Sequence, residues 1–411
     1  EDYLLPRITQ TIDLGGTWRD QRPEETLRRL EAPEVLEAIG VTRIAYIDGL
    51  DRIGIPTVVA HRPRGRALSS HQGKGVDHDL ATISALMEAL ECDRAERFEA
   101  VDHVGSLRDL RDHDVPVVTP ADIPGSRLLV RPEADEAAAE RDWLRFEPLG
   151  GGDAHLVPAS LVRMDLDTDH ERRREEACWM PPNTNGIAAG NTAEEAVLHA
   201  MCEVVERHAL AKPAVIIPVD PGAISDPWIA MLTQRLESVG IEARLRIRFG
   251  RVAEGRGVVR IPTYTCVLLD RDSGFARRPE AFGSGSHPSP RIAVLRAMTE
   301  AVQARTSHIA GARDDLLPEA YALASPFSPD RQHAEHVAAD GPDPFAITPT
   351  DHERLIDSCQ RRLAEAGFDR VLVRSIEMTQ TDAASFVPVR RVVIPGMRFD
   401  PGPQRWRASL R

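Results

Sequence analysis

Three stretches of the sequence carry acidic side chains at helical spacing in an apolar setting. They read Ala-Leu-Met-Glu88-Ala-Leu-Glu91, Ala-Met-Cys-Glu203-Val-Val-Glu206 and Ala-Met-Thr-Glu300-Ala-Val-Gln303. Residues three apart share a face of a helix, so each stretch projects two acids, or an acid and an amide, from one stripe. One such stretch is ordinary, because Ala, Leu and Glu are strong helix formers and most Glu side chains sit in water. Three raise a different prospect. Carboxylates gathered on facing helices repel unless cations lie between them, and hard oxygen ligands suit Mg2+. Each stretch also follows glycines: Gly73-Lys74-Gly75, then Asn185-Gly186 through Gly190-Asn191-Thr192, then Gly283-Ser284-Gly285-Ser286. Gly-rich loops entering helices offer backbone amides to anions. The chemistry these residues predict is a nucleotide site in which acidic helices hold magnesium, while glycine loops and nearby cations hold phosphates. Three unrelated surface helices are the competing prediction.

The elements that must position these residues are helices over 79–97, 193–210 and 290–308. Thr192 is a candidate N-cap with Glu195 three residues on, the pattern of a capping box. Asn191 and Glu195, four apart, could both face phosphate or magnesium. Arg296 stands one turn before Glu300, as a phosphate-binding cation or as an ordinary i,i+4 partner. Gly73-Lys74-Gly75 lacks the spacing of a Walker A loop. A helix ending in glycine and running into a strand is written three times: 23–39 into Gly40 and 41–47, Leu236 to Gly240 into 241–247, and Leu363 to Gly367 into 368–376. Glycine suits the residue just past a helix because it tolerates positive φ. These units predict a mixed, layered α/β protein with the site between acidic helices, and their wide separation argues against a tandem solenoid. Further strands are expected at 55–60, 213–218, 242–248 and 258–269, and helices at 225–239 and 351–366. Glu133 to Arg145 reads as a surface helix, and Asp165 to Glu176 as a solvated loop that lacks the central glycine of a calcium-binding hand. The segmentation predicted is an N-terminal αβ segment (1–60), a nucleotide-binding core (61–311) with a charged insertion at about 99–180, a mobile Pro-rich loop (312–350), and a C-terminal αβ unit with a tail (351–411).

The 411 residues, 42% apolar and 28% charged, describe a globular chain rather than a disordered one. A formal charge of −13 gives no support to nucleic-acid binding, which wants a basic surface. No apolar run is long enough to span a bilayer and the first residues lack a signal-peptide pattern, so a cytoplasmic protein is expected, with no membrane partner. Five scattered cysteines, Cys92, Cys178, Cys202, Cys266 and Cys359, never form a C-x-x-C pair and predict buried thiols rather than zinc or a disulfide framework.

Taken together, Gln72-Gly-Lys-Gly75, Ser84-x3-Glu88-x2-Glu91, Asn185-Gly through Gly190-Asn-Thr192, Glu203-Val-Val-Glu-Arg207 and Arg296-x3-Glu300 resemble the YcaO family. Gly49-Leu-Asp-Arg-Ile-Gly-Ile-Pro56 is similar to its stand-alone bacterial members, and the resemblance runs from about 15 to 397. It implies a YcaO-like fold and an ATP- and Mg2+-dependent enzyme that phosphorylates a peptide backbone amide. An azoline would form by cyclodehydration, and a thioamide or amidine with an external sulfur or amine nucleophile. By motif, Glu88, Glu91, Glu203, Glu206 and Glu300 would ligate magnesium. Lys74, Ser84, Asn191 and Glu195 would contact the nucleotide or its metal, and Arg207 and Arg296 would hold phosphates. Arg19 is the candidate for the family's early basic residue. The implied partners are a peptide or protein substrate, a TfuA-like sulfur-delivery protein and a second copy in a homodimer. Partnered azoline-forming members commonly end in Pro-x-Pro-x-Pro, whereas this chain runs Pro401-Gly-Pro403 into a charged end, which points away from that chemistry. A non-catalytic ATP-binding scaffold serving a peptide-modifying enzyme is the alternative.

Overall fold

The computed structural model describes residues 11–14, 16–125, 137–164, 179–211, 214–251, 257–270, 280–311, 313, 351–378 and 381–399. Two short strands, β1 (Ile12–Asp13) and β2 (Trp18–Arg19), come first. In place of one helix over 23–39 there are two, α1 (Pro23–Leu30) and α2 (Pro33–Ala38). Pro33 lacks an amide hydrogen and its ring blocks a continuing helix, but it fits the first turn of a new one. Strands β3 (Arg43–Tyr46), β4 (Thr57–His61) and β5 (Ser70–Lys74) then lead into α3 (His78–Glu96). The charged stretch beyond holds β6 (His103–Ser106), α4 (Leu107–Asp112), β7 (Glu140–Pro148) and β8 (His155–Pro158). The middle of the chain supplies β9 (Ile187–Ala189), α5 (Ala193–Leu210), β10 (Ala214–Val219), α6 (Pro227–Ser238) and β11 (Ile241–Gly250). It continues through β12 (Thr263–Asp270), β13 (Glu280–Ser286) and α7 (Pro290–Ala310). Last come α8 (His352–Glu365), β14 (Leu372–Ser375) and β15 (Val389–Val393). The architecture is the mixed, layered α/β one that alternating helix, glycine and strand predicts.

These elements sort into three units of like build: a helix, a glycine at positive φ, three antiparallel strands and a second helix. The first is α2, Gly40, β3-β4-β5 and α3. The second is α6, Gly240, β11-β12-β13 and α7, with β10 added at the edge. The third is split across the chain: α8, Gly367, β14 and β15 come from its end, while β9 and α5 come from its middle. The three linking glycines have φ of 72°, 72° and 88°, the left-handed region that ends a helix cheaply only at glycine.

The units interlock head to tail. The loop between β3 and β4 buries Ile53 and Ile55 in the second unit's core beside Leu232, Leu245 and Met298. Between β11 and β12, Val259 and Ile261 enter the third unit's core beside Met201, Val205 and Leu363. The β14–β15 loop returns Ala384 and Val387 to the first unit's core, beside Leu86 and Leu90. Ion pairs fasten two of these loops to the receiving helices, Asp51 with Arg305 at 2.9 Å and Asp382 with Arg94 at 2.9 Å.

Several expectations are corrected. The surface helix over Glu133 to Arg145 gives way, from Glu140, to strand β7, which pairs with β6, β8 and β14 and fully buries Trp143, Leu144 and Phe146. Its exposed Glu140, Arg145 and Glu147 account for the charged appearance. The strand expected over 258–269 begins only at Thr263, after Pro262, because Val259 and Ile261 are spent on the neighbouring core. The acidic stretch Asp165 to Glu176, Cys178, the Pro-rich segment apart from Arg313, and the tail from 400 lie outside the described residues. Cys92, Cys202, Cys266 and Cys359 are buried free thiols. No helix among the described residues is long and apolar enough to cross a membrane.

Candidate active site

The three acidic helices begin at equivalent places, with N-caps Asp77, Thr192 and Ser289. Counting from those caps, Glu88, Glu203 and Glu300 all fall eleven residues on, about 16 Å along each helix. Glu91, Glu206 and Gln303 fall three further. Seven residues beyond the caps stand Ser84, His199 and Arg296. All nine line one cavity of about 970 Å³, so α3, α5 and α7 contribute side chains in three tiers. The helix N-termini lie at one end, because Asp13, Gly16 and Asp20 between them touch all three. Asp13 pairs with Arg291 of α7 at 2.6 Å, Gly16 lies against Val76 ahead of α3, and the Asp20 amide donates to Glu195 Oε1 of α5 at 2.6 Å.

The glycines expected to be phosphate-binding loops do another job. Gly73 lies in strand β5 and Gly75 just past its end, and Gly283 and Gly285 lie within β13, each pressed against the backbone of the helix that follows. A Cβ on Gly73 would sit 1.9 Å from the Ala81 oxygen, and one on Gly285 would sit 2.4 Å from the Ala293 oxygen. Glycine brings helix and strand close enough for strand amides to reach the helix carboxylates. Glu88 accepts from the backbone of Gln72, Glu300 from that of Ser284, and Glu203 from the Gly186 amide at 3.2 Å. The second tier of acids reaches across to another unit: Glu91 accepts from the Ala189 amide of the third at 2.7 Å, and Glu206 from the Ser284 hydroxyl of the second at 2.7 Å.

Protein encloses these carboxylates, yet their side chains stay open to the cavity, Glu88 by 42%, Glu300 by 30% and Glu203 by 22%. Burial pushes Glu88 and Glu203 up to about 7, and pushes Glu91 well above the carboxylate range. Glu206 is raised by burial and by the adjacent Glu300. Glu300 alone is held low: burial opposes its charge, but the Lys74 ammonium at 2.9 Å and Arg207 outweigh it. Such a set of oxygen donors, short of positive charge, fits a hard divalent cation.

The outer tier has the opposite character. Burial, then the nearby Arg19, depress the Arg296 guanidinium, which makes no ion pair among the described residues. Arg19 approaches Glu195 Oε2 at 3.6 Å, whereas Arg207 follows the inner tier on α5 and sits 3.8 Å from Glu203. The Arg19 and Arg296 guanidiniums, facing one cavity, make an anion site.

All twelve residues named from the sequence, Arg19, Lys74, Ser84, Glu88, Glu91, Asn191, Glu195, Glu203, Glu206, Arg207, Arg296 and Glu300, line this cavity. Asn191 and Glu195 are the most engaged by protein. Thr192 caps α5, yet Glu195 reaches back to the Asn191 amide at 2.9 Å instead of to its cap. The Asn191 side-chain oxygen accepts from Thr26 at 2.8 Å. Ligand atoms of Asp20, Glu195 and His352 lie within 4.8 Å of one another. His352 pairs with Asp20 at 2.9 Å and Thr192 donates to Asp20 at 2.9 Å, so this cluster anchors the strand that carries Arg19. Sequence reading missed His199 and Arg313 and gave Gln72 of the Gln72-Gly-Lys-Gly75 motif no role, although all three also line the cavity. His199 had a signal in its equivalence to Ser84 and Arg296, visible once the helix starts are aligned.

Residues 72–398 match the family model described as YcaO cyclodehydratase, ATP- and Mg2+-binding. A protein of Methanothermobacter thermautotrophicus is 30% identical over 409 residues, covering 95% of this chain and 98% of its own. One from Rhizobium leguminosarum bv. trifolii, named for its place in the 3′ region of tfuA, is 30% identical and covers 92% and 88%. The solved YcaO of Methanopyrus kandleri, bound with AMPPCP and Mg2+, shares the fold with a TM-score of 0.65 at 24% identity, over 95% of each chain. With the match running through the acidic cavity and relatives aligned over nearly the whole chain, this protein belongs to the YcaO family, whose members bind ATP and Mg2+.

Proposed function

We propose that this chain uses ATP and Mg2+ to activate a backbone amide of a peptide. The observation that carries the proposal is the tiered cavity: an outer tier made cationic by Arg296 and the neighbouring Arg19, then two tiers of half-buried carboxylates, as a magnesium-bound polyphosphate requires. Glu88, Glu91, Glu203, Glu206 and Glu300 are the proposed metal ligands. Arg19, Lys74, Arg207 and Arg296 hold phosphate oxygens, and Ser84, Asn191 and Glu195 contact the nucleotide or support those that do. When bound, Mg2+ offsets the charge on the transferring phosphoryl oxygens.

An amide oxygen is a poor leaving group, and phosphorylation makes it a good one. The nucleophile's lone pair forms a bond to the carbonyl carbon, and the carbonyl oxygen takes the γ-phosphoryl group, releasing ADP. That C–O bond then breaks and phosphate leaves. Loss of a proton from nitrogen or sulfur restores the double bond. A side-chain nucleophile of the peptide gives an azoline, an external amine an amidine, and sulfide a thioamide. The relative named for its place beside tfuA favours sulfide, delivered by a TfuA-like partner to a homodimer of this chain.

Mass spectrometry of a candidate peptide incubated with enzyme, Mg2+ and ATP separates the products. Oxygen-to-sulfur exchange adds about 16 Da, whereas cyclodehydration removes about 18 Da. We expect the gain when a sulfide donor is present. Nucleotide binding with no phosphate release for any peptide, with or without the sulfur donor, would leave the scaffold alternative standing instead.

A further inference from the structure

The outer tier has three positions and only two of them, Ser84 and Arg296, match a family motif. The third is His199, seven residues beyond the N-cap of α5 as Ser84 and Arg296 are beyond theirs. We propose that His199 is a nucleotide-contact residue, hydrogen-bonding an oxygen of the β- or γ-phosphate and completing the ring that Ser84 and Arg296 begin. The inference rests on the cavity being an ATP site, and it deepens that reading by one residue.

Position is the first support. Val197, Leu198, Ala200, Met201 and Cys202 on the same turns of α5 are buried in apolar core, while His199 opens onto the cavity. A histidine present only for packing would share its neighbours' surroundings. The second support is polar accounting: the ring makes no hydrogen bond with a described residue, so a ligand that displaced water from it without replacing that bond would bind more weakly. Charge is the third. The charges that act most on the ring are Arg296, Arg19 and Lys74, with the His287 imidazole after them, drawn from α7, β2, β5 and the approach to α7, while Glu195 and Glu203 stand one turn either side on α5 itself. With burial as the larger cause, the cations hold His199 well below the usual histidine range, so it offers one N–H donor at neutral pH. An N–H among guanidiniums and an ammonium faces the place where phosphate charge is best received.

The test compares Mg·ATP and Mg·AMP binding by calorimetry to the full chain and to His199→Ala and His199→Gln, with thermal melts of each nucleotide-free protein. Glutamine keeps a donor at comparable reach. The expected result is an ATP dissociation constant about tenfold weaker in the alanine variant, recovery to within about threefold in the glutamine variant, and a smaller loss for AMP. Melting temperatures should match wild type. An alanine variant that binds Mg·ATP within about twofold of wild type would overturn the inference while leaving the ATP site intact. So would equal losses for ATP and AMP, which would place the contact away from the β- and γ-phosphates. Failure of the wild-type chain to bind Mg·ATP would overturn the ATP-site reading, and this contact with it.

Discussion

At the scale of single residues, the site is a problem in charge. Burial raises Glu88 and Glu203 to about 7, so the folded, metal-free protein holds protons there that the unfolded chain releases near 4.5. The sign follows from linkage: the folded state is favoured by those protons at low pH, and that advantage is lost as pH rises from about 4.5 to about 7. Metal-free protein should therefore lose thermal stability across that window, and millimolar Mg2+ should restore more at pH 8 than at pH 6. Glu203→Gln, with no proton to release, should flatten part of the slope. A melting temperature that follows pH identically in wild type and Glu203→Gln, with or without Mg2+, would refute the charge account. Much of this was legible in the chain, because acids three apart between apolar residues say helix and say one face. His199 was legible only through its equivalence to Ser84 and Arg296 once the helix starts are aligned, since an imidazole without a motif takes its meaning from cations on other elements.

At the scale of elements, glycine sets the spacing. The strands under α3 and α7 must approach those helices closely for Gln72 and Ser284 to meet Glu88 and Glu300. In Gly285→Ala, the added Cβ would lie 2.4 Å from the Ala293 oxygen and 2.6 Å from Arg296 Cβ, so α7 must shift. We expect a cost of about 1–3 kcal/mol in unfolding free energy, together with weaker Mg·ATP binding, because Arg296 and Glu300 ride on that helix. Gly49→Ala is the control, since nothing lies within 4 Å of its added Cβ. Calorimetry that finds both variants alike would remove the spacing argument. The helices themselves were readable from their period and caps. The glycine strands were misread as loops because glycine is a turn signal on its own, and only a packed neighbour reveals its other use. Strand β7 was misread because its five charged residues, two of them buried, break any alternating pattern although Trp143, Leu144 and Phe146 are fully buried on its two faces.

At the scale of the molecule, three units pass a loop into the next unit's core and turn their second helices toward a common cavity. The helix, glycine and strand sentence was visible three times in the sequence, but the closure was not. The third unit takes α8, β14 and β15 from one end of the chain and β9 with α5 from its middle, and no local pattern announces that pairing. Carboxylates from residues 88, 203 and 300 therefore meet although more than two hundred positions separate the first from the last. The central claim is that this meeting place moves a phosphoryl group onto a peptide amide oxygen. The most direct measurement follows that oxygen: a peptide labelled with heavy oxygen at its reactive carbonyl, turned over with ATP, should deliver the label into inorganic phosphate, one atom per product formed. Label that stays in the peptide or passes to water while ATP is consumed would contradict the account.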